Sequence, residues 1–313
     1  MNHMNNTSQI NKGLWLGLLG IVIFSLTLPM TRLAVGTDSA PQMSSLFIAM
    51  GRAVVAAALS ALFLLAARAP LPQRRHWWPL AITAGGVVFG FPLFTSIAMR
   101  HVEAVHASVI VGVLPLATAA VGALLHRQRP SMGFWWCAAL GSALVVVFAI
   151  LRSGSGASGL AISLADLLLL AAMLCAAVGY GYGARLSQQM RAEHVICWAL
   201  VMALPLTLPL AVSSWPVVPL KAAAWWGFAY VAVFSMWLGF FAWYRGLALG
   251  GTVRVSQVQL VQPFLSMLFA LPLLGEKLDA LSVGFALAVI ATVFIGKKMP
   301  VHALVLQPGR IET

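Results

Sequence analysis

The sequence predicts an all-α membrane protein of ten transmembrane helices, built as two inverted five-helix repeats. Three observations predict it: apolar runs of 17 to 24 residues between short polar breaks, basic residues gathered in alternate breaks, and a weak internal match at an offset of 148 positions. Composition sets the frame. Of the residues, 61% are hydrophobic and 8% charged, against about 45–50% and about 25% in soluble domains, so a water-soluble surface could not be covered.

Each run has the length needed to cross a hydrocarbon core about 30 Å thick at about 1.5 Å per residue. The expected spans are residues 13–32, 43–66, 78–98, 104–125, 132–151, 161–184, 195–213, 224–246, 253–274 and 280–296. The first follows Lys12 and is too long for a signal-peptide core; its exit, 31–36, carries no small-x-small cleavage site, so it reads as a mature helix. The stretch from Arg152 to Gly159 has the Gly/Ser composition of a flexible connection. It separates a first repeat, 1–151, from a second, 160–298, with 299–313 as a tail.

The net charge of +12 sits in the breaks. Placing the N-terminus in the cytoplasm puts thirteen Lys and Arg on that side and five on the other, with Arg52 inside a span. The positive-inside rule then makes both termini cytoplasmic. No basic stripe interleaved with aromatics lies on a soluble domain, which excludes a nucleic-acid partner.

Moving the second half by 148 positions superposes Ser108 on Ser256, Val113 on Val261, Pro115 on Pro263, Leu125 on Leu273 and Ala143 on Ala291. Five spans per half is an odd number, so the halves would have opposite orientation. Such inverted repeats enclose a path at their interface near the midplane.

Within the spans a few residues carry chemistry. Arg52 sits roughly 12 Å below the second span's boundary by helical rise. At a helix centre such a cation costs about 2.5–3.5 kcal/mol, so it faces the bundle interior, as a clamp between helices or as a contact for an anionic group. Pro115 and Pro263 each free a carbonyl one turn earlier and kink their helices. Ser256, Gln259, Gln262 and Ser266 recur at three or four residues and share one face of the ninth span. That face serves a wet cavity or hydrogen bonding between helices.

His101, Glu103 and His106 read as a vestibule or solvated helix start rather than a metal site, because two histidines five apart are a poor helical ligand pair. Asp166 reads as a helix-entry acid and a candidate coupling group. Tyr180, Tyr182, Trp237, Trp243 and Tyr244 serve packing or line an apolar path. Gly86 with Gly90 and Gly246 with Gly250 allow close helix approach, while Gly179, Gly181 and Gly183 would soften the sixth span. Cys137, Cys175 and Cys197 lie in apolar runs and read as core residues.

The stretch Val255 to Phe264, followed by Leu274-Gly275-Glu276-Lys277-Leu278, resembles the ninth helix and following loop of EamA-type members of the drug/metabolite transporter superfamily; Ala107 to Leu116 is its first-half counterpart. Span number, cytoplasmic termini, the five-plus-five division and Arg52 agree over essentially the whole chain. Two positions depart: Arg127-Gln128 stands where the family often has Gly-Glu, and Leu114 precedes the first-half proline.

The resemblance implies a secondary transporter that moves a small metabolite, amino acid or drug-like solute across the cytoplasmic membrane, by efflux through alternating access. The expected solute contacts are Arg52, Ser108, Pro115, Ser256, Gln259, Gln262 and Pro263, with His101, Glu103, His106 and Asp166 as coupling or vestibule groups. The expected partners are a small-molecule solute and membrane lipid, with no cofactor or metal. The sequence has no Walker A loop, so an ion gradient, exchange or the solute gradient supplies the energy. The competing class is an intramembrane enzyme acting on a lipid-soluble substrate. It would need a GxSxG, an HExxH or paired buried carboxylates, and none is present, so no enzyme is expected.

Overall fold

A computed structural model describes residues 2–125, 128–153, 163–251, 255–298 and 301–303. Arg127, Arg254, the linker residues 154–159 and the tail beyond 303 lie outside the described residues. Among the described residues, seven helical stretches are long and apolar enough to cross a membrane: Gln9–Val35, Ser45–Ala66, Arg74–His101, Ala104–Gly122, Leu164–Leu186, Ala192–Ser213 and Ala222–Gly250. Three shorter apolar helices, Trp135–Leu144, Val258–Leu274 and Ala280–Thr292, fall at the fifth, ninth and tenth expected spans. The outer faces of the long stretches carry side chains such as Leu65, Leu174 and Leu206 at 75%, 62% and 64% exposure, a surface that lipid covers.

Local signals set the helix ends. Ser44 caps α3 (Ser45–Ala66) by accepting the Phe47 N–H at 3.1 Å. Ser163 and Asp166 form a reciprocal capping box at the start of α9 (Leu164–Leu186). Gly275 takes a left-handed turn, φ 67°, after the penultimate helix (Gln262–Leu274).

Among the described residues, five interruptions break the regular helices. The first span divides at Leu26 into α1 (Asn2–Ser25) and α2 (Thr27–Val35). The third consists of α4 (Arg74–Ala84), a π-helical segment Gly85–Gly90 and α5 (Phe91–His101). The fourth breaks at residues 112–113, between α6 (Ala104–Val111) and α7 (Leu114–Leu125). The eighth carries a second π segment, Val231–Leu238, between α11 (Ala222–Tyr230) and α12 (Gly239–Gly250). The ninth starts as a 3-10 turn, Ser256–Val261, and becomes α-helical as α13 (Gln262–Leu274).

Proline chemistry accounts for part of this. Pro29 has no N–H for the carbonyl of Ser25, and that carbonyl instead accepts the Ser266 hydroxyl from α13 at 2.7 Å. The two irregularities following Val111 and Val255 end at Pro115 and Pro263 in matching fashion, because α7 begins at Leu114 and α13 at Gln262, 148 positions apart.

Packing joins α1 to α12, α3 to α10 (Ala192–Ser213), α4 and α5 to α9, α6 to α13, and α8 (Met132–Ser153) to α14 (Ala280–Lys298). Glycines let α1 touch α12, and the first π segment touch α9, backbone to backbone. A Cβ on Gly13 would lie 2.4 Å from the Gly250 nitrogen, and one on Gly86 would lie 2.4 Å from the Cys175 carbonyl. The glycines of α9 serve the same end. A Cβ on Gly183 would meet the Tyr244 hydroxyl at 2.2 Å, and α9 runs unbroken, so the expected softening gives way to close packing.

One element departs from the all-α expectation. Gln128–Pro130 (β1) pairs antiparallel with Val301–Ala303 (β2), with Gln128 opposite Ala303 and Pro130 opposite Val301. Residues just past a helix end have unpaired backbone groups, and this short ribbon satisfies some of them; Pro130 is tolerated because the strand has a free edge. The start of the expected tail is therefore tied back to the loop after α7.

Candidate functional site

All five interruptions border one buried cavity. Thr27 lines it beside the Leu26 break, Val87 and Ser235 from the two π segments, Val111 and Leu114 from either side of residues 112–113, and Gln262 where the 3-10 turn becomes α13. Irregular backbone at membrane depth persists only where it is buried in protein or lines a cavity, so the breaks and the cavity explain one another. Its volume of about 10 Å³ is room for about one water.

Arg52 enters this cavity from α3 and is 1% exposed. Its Nη2 donates to the Ser235 hydroxyl at 3.1 Å, and Ser235 meets the Thr27 hydroxyl at 2.8 Å. Nε and Nη1 have no partner among the described residues. Tyr180 of α9 lines the cavity with Phe24, Phe91 and Phe240: Phe24 stacks on Tyr180 at 6.4 Å between centroids, and Phe240 lies 5.1 Å from Phe24.

The other expected contacts divide. Gln262 lines the cavity with Arg52. Gln259 is 1% exposed, and neither its amide oxygen nor its nitrogen has a partner among the described residues. Ser108 donates to the Ala104 carbonyl of its own helix at 2.7 Å, the usual local option for a serine in a helix. Pro115 and Pro263 are buried beside the cavity without lining it, and a Cβ on Gly112 would lie 3.6 Å from the Pro263 ring, where the two broken helices cross. Ser256 belongs to the 3-10 turn, and its side chain lies outside the description.

Near the Arg32 end of the bundle an open cleft of about 490 Å³ is lined by Arg32, Glu103, Lys221 and Glu276 among others. The Glu276 carboxylate reaches from the loop after α13 to the first turn of α6 and accepts the N–H groups of Ala104 and Val105, each at 2.8 Å. Those donors have no intrahelical acceptors, and a helix start favours negative charge. Glu103 occupies the N-cap position but makes no capping bond. Burial raises the Glu276 carboxyl above its ordinary value, and the two backbone N–H groups oppose the rise. Two arginines stitch the same end: Arg32 donates to the carbonyls of Met99 and, at 2.6 Å, Arg100, while Arg100 donates to the Met43 carbonyl at 2.8 Å.

His106 is buried, not solvated: its Nε2 lies 2.6 Å from Asp166 Oδ1, tying α6 to the start of α9. His101 is exposed and pairs with Asp38 at 3.0 Å. At the opposite end Arg245 pairs with Glu193, and His76 Nε2 lies 3.1 Å from Gln189 Oε1. Trp243 and Tyr244 are fully buried packing residues.

Sequence reasoning missed Thr27, Ser235 and Glu276 as contributors. For Glu276 a signal existed: a carboxylate directly after a helix-ending glycine, in a chain with only seven acidic residues.

The sequence profile of the EamA-like transporter family matches this chain twice, over residues 11–151 and 163–296. A protein of Bacillus subtilis (strain 168), described as "Uncharacterized transporter YdeK", is 42% identical over 286 residues, spanning 90% of this chain and 96% of the relative. Among solved structures, one crystal structure superposes with a TM-score of 0.61 at 18% identity, covering 91% of this chain and 96% of its own, which is a likeness of fold.

Proposed function

The chain belongs to the EamA-like transporter family, and from that premise we propose that it is a secondary transporter of the cytoplasmic membrane, moving a small solute outward by alternating access around the Arg52 cavity. It is an integral multi-pass membrane protein. The proposed architecture is ten spans in two inverted halves, 1–151 and 160–298, with both termini cytoplasmic. Supporting this, Gly85–Gly90 moved by 148 positions falls on 233–238, inside the second π segment. Exchanging the first five spans with the last five also maps the packing onto itself: the first span's contact with the eighth becomes the sixth span's contact with the third.

The observation that carries the reading is the convergence of five helix interruptions on one cavity holding a buried arginine. A rigid scaffold needs no such breaks, whereas a carrier needs places where helix ends move while the middle stays. A cavity with room for about one water must open to hold a solute. Arg52, Gln262 and Gln259 are its proposed polar contacts, and Ser108, Pro115, Ser256 and Pro263 frame them at the crossing. His101, Glu103, His106 and Asp166 lie toward the Arg32 end, proposed as the outer face.

The test is comparative solute profiling of cells with and without the protein, followed by counterflow of each hit in proteoliposomes. A solute that accumulates inside cells lacking the protein and exchanges in liposomes supports the reading. No solute difference and no counterflow would overturn it.

A further inference from the structure

We propose that the Arg52 cavity selects a small organic monoanion, a carboxylate on an apolar or aromatic body, and rejects cations and zwitterions of the same shape. The proposal rests on the transporter reading for its site and goes beyond it in naming the solute's chemistry.

The first ground is charge. Arg52 is a cation at 1% exposure, and among the described residues no Asp or Glu lines the cavity. The polar residues around it, among them Thr27, Tyr180, Ser235 and Gln262, are neutral. A buried charge without a counter-charge is unfavourable, and structures relieve it by pairing. An anion in the cavity supplies the missing partner; an ammonium group would meet a fixed positive charge in a site with no carboxylate to receive it.

The second ground is unmade hydrogen bonds. Ser235 takes one N–H of Arg52, while Nε and Nη1 find no acceptor among the described residues. A guanidinium is donor-only, and its planar fork matches the geometry of a carboxylate. The third ground is the aromatic part of the cavity wall. Phe24, Tyr180 and Phe240 form a triangle of rings with centroids 5.1 to 6.4 Å apart, an apolar face that fits a ring or short aliphatic chain and offers it no hydrogen bonds beyond the Tyr180 hydroxyl.

Solubilised full-length protein can be titrated with benzoate, its neutral amide benzamide, the cation benzylamine and the zwitterion phenylalanine, reading thermal stability as the binding signal. Benzoate should stabilise the protein with an apparent affinity at least about tenfold above each of the other three, since benzamide and benzylamine bring no negative charge and phenylalanine brings an ammonium with no carboxylate to receive it. Arg52→Lys should keep a weakened benzoate response, and Arg52→Gln should lose it. Because Arg52→Gln can also unfold the protein, the wild-type ranking decides by itself. Benzylamine or phenylalanine binding as well as benzoate, or no benzoate response at all, would overturn the proposal. Counterflow separates this from the transporter reading: flux of a profiled cation or zwitterion with no benzoate binding sinks the solute class and leaves transport standing, while benzoate binding without flux of any anion keeps the site and sinks transport.

Discussion

Arg52 of α3 and Ser235 of the second π segment are 183 residues apart in sequence and joined by one 3.1 Å hydrogen bond at the centre of the bundle. The bond crosses between the two proposed halves and leaves the rest of the guanidinium free for a solute. Arg52→Ala should therefore abolish transport at normal membrane abundance. Arg52→Lys should keep part of it if charge alone is used, and none if the planar fork is required. Full transport by Arg52→Ala would remove Arg52 from the site.

Gln259 and Gln262 should separate by their surroundings. Gln259 has a buried amide with neither end partnered, so Gln259→Leu removes an unsatisfied group and should raise solubilised thermal stability, by up to about 1–3 kcal/mol, while weakening apparent solute affinity. Gln262→Leu should weaken affinity with little change in stability. Unchanged affinity in both variants would make them packing residues.

Gly13→Ala should part α1 from α12, because the new Cβ would lie 2.4 Å from the Gly250 nitrogen. A loss of about 1–3 kcal/mol is expected. Gly122→Ala on α7 meets nothing within 4 Å and should be neutral or stabilising by up to about 1 kcal/mol. Thermal melts of the two proteins in one detergent make the comparison.

Glu276 should give stability a pH dependence of defined sign. Burial raises its carboxyl in the folded protein, so the folded chain holds that proton to higher pH than the unfolded chain does. Its contribution is present in full below the ordinary carboxylate range and declines as pH rises through the raised value. Arg32 and Glu103 face it with opposite effects, the first lowering and the second raising its carboxyl. Melting wild type and Glu276→Gln between pH 4 and 8 isolates the effect: the wild type should lose ground to the variant as pH rises. The reverse trend would mean that the bonds from Ala104 and Val105 outweigh burial.

Reporters test the topology. A cytoplasm-active fusion should work after Thr313 and between Arg68 and Arg75, and an export-active one between Arg152 and Gly159. An export-active reporter working at Thr313 would reject ten spans.

Helix positions were legible because span length is a property of a single run of residues, and Arg52 and Gln262 stood out because polar side chains at membrane depth are costly wherever they point. Thr27 and Ser235 were not legible: a hydroxyl in an apolar helix is commonplace until its neighbour is known, and here the neighbours come from distant spans. Gly183 shows the same limit. Its spacing suggested flexibility, but the Tyr244 hydroxyl that needs the space lies 61 positions away. Glu276 stands within the motif 274–278, yet its bonds to α6 follow from the left-handed turn at Gly275, which only the fold shows.

The π segments Gly85–Gly90 and Val231–Leu238 also bear on how such a chain can vary over evolutionary time. An i→i+5 turn holds about one residue more than an i→i+4 turn. Losing a single residue there would restore an ordinary helix and leave the flanking faces of α4 and α5, or α11 and α12, pointing as before. Anywhere else in those spans the same loss would rotate everything beyond it by about 100°. Single-residue length differences among relatives should therefore cluster at these two places, and a relative short by one residue in only one half would have a regular helix on one side of its cavity and a wide turn on the other.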